Sequence, residues 1–166
     1  ITTITLSSFS YCSGLFSVEL PESLAKIGYG SFEYCSSMRN MAIPSGAETS
    51  RKVFNSCSDL LKLFDSEERI TEQLKHRFDG LPIHKMLYYQ SYHPVTTDRL
   101  NNATNMRSGH TRALRSKLDP TGREQDCLGM TPLHILACSS IQELSIYELM
   151  INKYPENLTT EDRWGA

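Results

Sequence analysis

Several large classes of protein are excluded by what this chain does not contain. No apolar run is long enough to cross a bilayer. Charge of one sign is missing too. With 17 Lys and Arg against 19 Asp and Glu the formal net charge is -2, so nothing electrostatic points to a nucleic acid or an anionic membrane as partner. The opening Ile1-Thr-Thr-Ile-Thr-Leu6 has no basic stretch before it and no cleavage site after it, so it does not read as a signal peptide. No glycine-rich phosphate loop occurs. The five cysteines are an odd number, which argues against a fully paired disulfide framework, and none forms a Cys-x-x-Cys pair or sits in a nucleophile motif.

What is present is an ordered, water-compatible composition, 39% hydrophobic and 22% charged over 166 residues. The strongest feature is an internal repeat. Phe9, Cys12, Leu15, Val18, Leu20 and Pro21 lie 23 residues before Phe32, Cys35, Met38, Met41, Ile43 and Pro44. Phe54, Cys57, Leu60 and Leu63 follow after a further 22. Ile1 and Ile4 match Leu24 and Ile27 in the same way. Each unit reads F-x-x-C-x-x-L-x-x-L-x-L-P, in which L-x-x-L-x-L predicts a strand with alternate residues inward and a proline ending it. Stacked units would align Leu15, Met38 and Leu60 in one column and Phe9, Phe32 and Phe54 in another, since one unit cannot bury its apolar face alone. Cys12, Cys35 and Cys57 read as small buried fillers at the same point of each unit, with a disulfide between units or a metal site as the alternatives.

These residues resemble the BspA-like class of leucine-rich repeats, and the likeness covers roughly residues 1–64. It departs at Gly46-Ala-Glu-Thr-Ser-Arg51, which replaces the usual apolar pattern, so distortion of the third unit is expected. Ser66 to Phe78 then predicts an amphipathic junction helix over 65–78. Ser66 caps it, Glu67 and Glu68 stand in its first turn, and Ile70, Leu74 and Phe78 form one stripe. This helix either covers the open end of the first repeat or presents itself to a partner.

Asp126-Cys-Leu-Gly129-Met-Thr131-Pro132-Leu133-His134-Ile-Leu-Ala137 resembles the opening of an ankyrin repeat. Gly129 suits a tight turn, Thr131 an N-cap and Pro132 the first helical position. A second helix is expected over Glu143 to Tyr154, and a new unit begins at Asp162-Arg-Trp164-Gly165, with Gly129 and Gly165 separated by 36 residues. A weaker copy starts at Asp79-Gly80-Leu-Pro82-Ile83-His84. From His84 to His134 is 50 residues, so an insertion is expected between them that includes Arg107 to Gly122, with short helices around Leu100, Ala103, Leu114 and Leu118 and a turn at Asp119 to Gly122. The fold class expected is therefore an α+β repeat solenoid, with leucine-rich units over 1–64, the junction helix, and ankyrin-like repeats over 79–166. The chain reads as a fragment cut inside a repeat at both ends. The combination resembles proteins of unicellular eukaryotes that carry both repeats.

Chemistry finds little support. Cys127, His134 and Cys138 make a poor zinc set, because the ankyrin-like turn already accounts for His134 and no fourth ligand lies near. A Cys/His nucleophilic pair would have to meet in space. The paired acids Glu67-Glu68 and Glu161-Asp162 fit helix starts and repeat loops. Asn102-Ala-Thr104 and Asn157-Leu-Thr159 match the N-glycosylation pattern. No catalytic residue, cofactor or metal is assigned. The expected binding face is the outward lattice of the strands: Phe16, Ser17 and Glu19, then Arg39, Asn40 and Ala42, then Leu61, Lys62 and Phe64. Exposed Phe16 and Phe64 beside Arg39 would make an interface core, unless the junction helix or another part of the chain covers them. Arg123 and Glu124, in the Arg123 to Asp126 loop, are a second candidate contact. The function expected is a non-catalytic interaction scaffold for a protein partner, in the cytoplasm. A secreted or cell-surface adhesion protein and a regulatory repeat segment of a larger enzyme remain the alternatives.

Overall fold

The structure, a computed structural model, describes residues 1–105, 118–140 and 143–166. The chain divides into two compact units, Ile1–Arg77 and Phe78–Ala166.

In the first unit, short strands pair in parallel at the repeat spacing. The first ladder joins β1 (Thr3–Ile4), β3 (Lys26–Ile27) and β5 (Glu48–Thr49), with Ile4 opposite Ile27 and Ile27 opposite Thr49. The second joins β2 (Ser17–Val18) and β4 (Asn40–Met41), with Val18 opposite Met41. Backbone conformation repeats as well. Ser7, Gly30 and Lys52 have φ of 52°, 61° and 56°, and Tyr11, Tyr34 and Ser56 have φ of 62°, 60° and 58°. Each copy therefore turns twice through left-handed residues at the same points, and between those turns the N–H groups of Phe9 and Phe32 reach the Ser31 and Val53 carbonyls of the next copy.

Side chains stack in the same register. Phe9, Phe32 and Phe54 lie nearly parallel, with ring centroids 5.2 and 6.1 Å apart, and the latter two are fully buried. Buried Cys35 and Cys57 donate their thiols to the Phe9 and Phe32 carbonyls at 3.1 and 3.0 Å. Both thiols are free. Packing decides this position: a thiol is small enough to fit between copies and adds a weak second donor to a carbonyl that already accepts from the N–H three residues further on.

The third copy departs from the expected strand. Ser58–Phe64 is a helix, α1, ending at Asp65 with φ 63°. Leu60 and Phe64, four apart, are both buried, and Asp59 stands in the first turn, so local preference favours a helix where no proline ends the segment. The third unit thus departs from the repeat at this helix, while β5 keeps its pairing within Gly46 to Arg51. Helix α2 (Glu67–Lys75) follows, with the Ser66 hydroxyl accepting from the Arg69 N–H and with Ile70 and Leu74 fully buried. Its C-terminal end meets the last strand of the second ladder. The Ile43 N–H donates to the Leu74 carbonyl at 3.0 Å, and buried Arg77 donates to Asn40 Oδ1 and the Met41 carbonyl.

The second unit is helical: α3 (Pro82–Tyr88), α4 (Thr97–Thr104), α5 (Pro132–Ala137) and α6 (Leu144–Lys153), with 3-10 turns at Pro120–Arg123 and Pro155–Leu158. The Thr131 hydroxyl and His134 ring cap α5 reciprocally, and Pro132 opens it. Two loops share one geometry. Asp126 Oδ1 accepts from the Leu128 and Met130 N–H groups, and Asp162 Oδ1 accepts from those of Trp164 and Ala166. The third residue after each aspartate is a glycine with positive φ, 74° at Gly129 and 80° at Gly165. Leu100 is buried in α4 as the pattern predicts, whereas Leu118 pairs with Asn105 in an isolated antiparallel bridge and is not helical. The helix expected around Leu114 lies outside the described residues.

Candidate functional site

The register brings one row of side chains from three copies together on the first unit. Phe16 is 40% exposed. The Arg39 guanidinium sits 5.9 Å from its ring centroid. Arg39 Nε also binds Asp59 Oδ2 at 2.7 Å, and Lys62 Nζ binds Asp59 Oδ1 at 3.2 Å. Helix α1 makes this possible, because it places Asp59 and Lys62 three apart on one face. Burial pushes the Asp59 carboxyl up, but Arg39 and Lys62 outweigh it and hold the group below the usual carboxylate value. The result is a fixed arrangement: an aromatic ring, a guanidinium over it, a carboxylate holding the guanidinium, and an exposed ammonium at the end.

Not every expected face residue joins this row. Ser17 is half-buried and accepts from Asn40 Nδ2 at 2.9 Å, and Glu19 and Leu61 are half-buried. Asn40, Ala42 and Phe64, expected to face outward, are 3%, 2% and 4% exposed. Asn40 is covered because Arg77, at the end of α2, reaches its side chain. Phe64 turns inward because its segment is a helix, in which residue 64 shares the face of Leu60. In the second unit Arg123 and Glu124 are exposed, and Arg123 pairs with Glu156. The backbone carbonyl of Glu124 accepts from His84 Nε2 at 3.0 Å.

Two features were not singled out from the residues. Asp59 is one, because its role depends on α1. Tyr11 and Tyr34 are the other: their rings stack at 4.6 Å and are 71% and 41% exposed. Their spacing of 23, just before each repeat cysteine, was the available signal. The sequon at Asn157 is closed in the folded chain, since Asn157 is 4% exposed and donates to the Gly122 carbonyl. At the other sequon, Asn102 is exposed while Thr104 is buried. Among the described residues no group of three His, Cys, Asp or Glu is placed to hold a metal, and no helix is long and apolar enough to cross a membrane.

Parallel ladders at a 23- and 22-residue offset, filled by apolar columns, define a leucine-rich repeat protein. The description "BspA type Leucine rich repeat region" matches residues 1–107 in 6 copies, and the chain belongs to that family. The match runs past the first unit into α3 and α4, where the strand ladders have ended. No curated protein and no solved structure matches the chain. Leucine-rich repeats generally mediate protein–protein interaction and are typically not catalytic, and BspA-type members are often surface proteins.

Proposed function

We propose that this chain is a protein-interaction module whose first unit, a short solenoid, binds a protein partner through the row Phe16, Arg39, Asp59 and Lys62. The observation that carries this reading is the Arg39 guanidinium held over an exposed Phe16 ring by Asp59. Aromatic and arginine side chains dominate interface energetics, and a pair already fixed in place loses little rotamer freedom on binding. The second unit reads as ankyrin-like repeats. The shared Asp126 and Asp162 loops and the Thr131-Pro132 helix start support this.

The test is affinity capture on the wild-type chain beside Phe16→Ala and Lys62→Glu, each checked for folding by circular dichroism. A partner held by the wild type and lost by both variants supports the reading. An unchanged set of captured proteins on folded variants overturns the face assignment. A second reading, a cell-surface adhesion protein, draws support from the surface location of many BspA-type proteins. Protease treatment of intact cells separates the two, because only a surface protein is cleaved.

A further inference from the structure

Tyr11 and Tyr34 stand at one register position of neighbouring copies, 23 residues apart. Both have a left-handed backbone, with φ of 62° and 60°, which is disfavoured for a residue carrying a Cβ. The turn alone therefore gives no reason for tyrosine. The backbone holds the pair in register. The Tyr11 N–H donates to the carbonyl of Glu33, the residue before Tyr34, at 2.8 Å, and the Tyr34 N–H donates to the Asn55 carbonyl at 2.9 Å. The two rings lie 4.6 Å apart between centroids, with planes 11° from parallel.

The neighbouring phenylalanine column is an interior stack, with Phe32 and Phe54 fully buried. The tyrosine stack is open to solvent, since Tyr11 is 71% and Tyr34 41% exposed. It also stops at two rings, because the third copy has Ser56 at this position with the same left-handed backbone, φ 58°. Neither phenol hydroxyl has a hydrogen-bond partner among the described residues. Two accessible phenols are thus held side by side, isolated as a pair, with no bond that would protect either hydroxyl.

We propose that Tyr11 and Tyr34 are a site of oxidative cross-linking, joined as dityrosine when a peroxidase-type oxidant withdraws one electron from each. Each phenol gives up an electron and its hydroxyl proton. The phenoxyl radicals that result share their spin with the ring carbons ortho to oxygen. One ortho carbon of each ring forms the new C–C bond, its hydrogen leaves as a proton, and the oxygen is reprotonated, so both rings recover their aromaticity. The chain loses two hydrogen atoms, and one hydrogen peroxide becomes two waters. Proximity selects the partner, because each radical has the other ring in contact before it can meet a second chain. The bond ties the first copy to the second as a disulfide would. It makes no use of the Phe16 row, so either reading can fail without the other.

The whole chain, dilute and with exposed Cys12 capped by N-ethylmaleimide so that its thiol cannot quench the radical, is treated with a haem peroxidase and hydrogen peroxide. The expected product is a monomer with dityrosine fluorescence and a mass lower by two hydrogen atoms. Trypsin cuts after Lys26 and Arg39, so residues 1–26 should be released joined to residues 27–39, with the bond placed at Tyr11 and Tyr34 by fragmentation. Tyr11→Phe and Tyr34→Phe keep the ring and remove the hydroxyl, and each should lose this product. Tyr29→Phe, at an exposed tyrosine of the same tryptic peptide outside the stack, should keep it. Dityrosine confined to dimers, an intramolecular cross-link that survives in Tyr34→Phe, or no dityrosine in the folded wild type overturns the proposal.

Discussion

Buried Arg77 donates to the side-chain oxygen of Asn40 at 2.7 Å and to the adjacent Met41 carbonyl at 2.9 Å. Asn40 in turn donates to Ser17 at 2.9 Å, so one residue at the end of α2 is tied through the second ladder to the first copy. Strand β4 would otherwise present acceptors to a strand that α1 has replaced. Arg77→Ala should leave two buried oxygens without this donor and cost about 3 kcal/mol, the scale of lost hydrogen bonds to a charged group. Urea unfolding followed by circular dichroism measures it. A loss below about 0.5 kcal/mol, the size of an ordinary surface substitution, would mean that the edge is satisfied in another way.

The ladders could be read from the residues because the side chain at each register position is nearly the same from copy to copy. Phe9, Phe32 and Phe54 announce their own stacking. The Thr131-Pro132 helix start was equally legible, since its cap bonds span only three residues. Helix α1 was not. Leu60 and Leu63, three apart, satisfy the strand template and a helix face alike, and only burial of Phe64 with Leu60 separates the two. Everything that depends on α1 was hidden with it, including the Arg39–Asp59 pair and the burial of Phe64. The covering of Asn40 was hidden for another reason. It needs Arg77, 37 residues away, and no local pattern joins them.

The cysteine column makes a chemical prediction. Burial, then the neighbouring thiol, pushes Cys35 up to about 11 and Cys57 up to about 12. Cys12 is exposed at the first copy. Thiolate is the reactive form, so at pH 8 maleimide should label Cys12 quickly and leave Cys35 and Cys57 untouched until the unit unfolds. Mass spectrometry of peptides from a time course reads this. The same shifts make a stability statement. A thiol whose folded value is raised contributes fully below its unfolded value near 9, and that contribution is lost as pH rises toward the folded values. Denaturant midpoints should therefore fall between about pH 9 and 12. Replacing both cysteines by alanine should flatten that part of the profile.

The Arg39–Asp59 pair should behave as a partly exposed ion pair. Its side chains are 29% and 12% exposed, so the coupling in a double-mutant cycle with Arg39→Ala and Asp59→Ala should be about 0.5–1 kcal/mol at low salt and shrink as salt is added. Asp59 is held below its ordinary value despite its burial. Its contribution is thus present above the unfolded carboxyl value and is lost as pH falls through the folded one. A cycle repeated near neutral pH and in acid below the folded carboxyl value should show coupling only at the higher pH. Equal coupling at both would mean that the contact is packing and not charge.

Two glycines at matching loop positions separate backbone strain from steric fit. Gly129 and Gly165 both have positive φ, 74° and 80°, so alanine at either pays the left-handed penalty of about 1–2 kcal/mol. Their surroundings differ. A Cβ on Gly129 would lie 2.8 Å from both Cγ and the backbone nitrogen of Arg163, whereas a Cβ on Gly165 meets nothing within 4 Å. The Arg163 side chain can move aside. Its backbone nitrogen cannot do so freely, because it donates to the Leu128 carbonyl at 3.2 Å and so links the second loop to the first. Gly129→Ala should therefore cost more than Gly165→Ala by about 1–3 kcal/mol, the range for overpacking against a fixed neighbour. Thermal unfolding of the two single variants measures the difference. Equal losses would show that the Arg163 segment yields, and that the close approach of the two loops contributes little to the second unit.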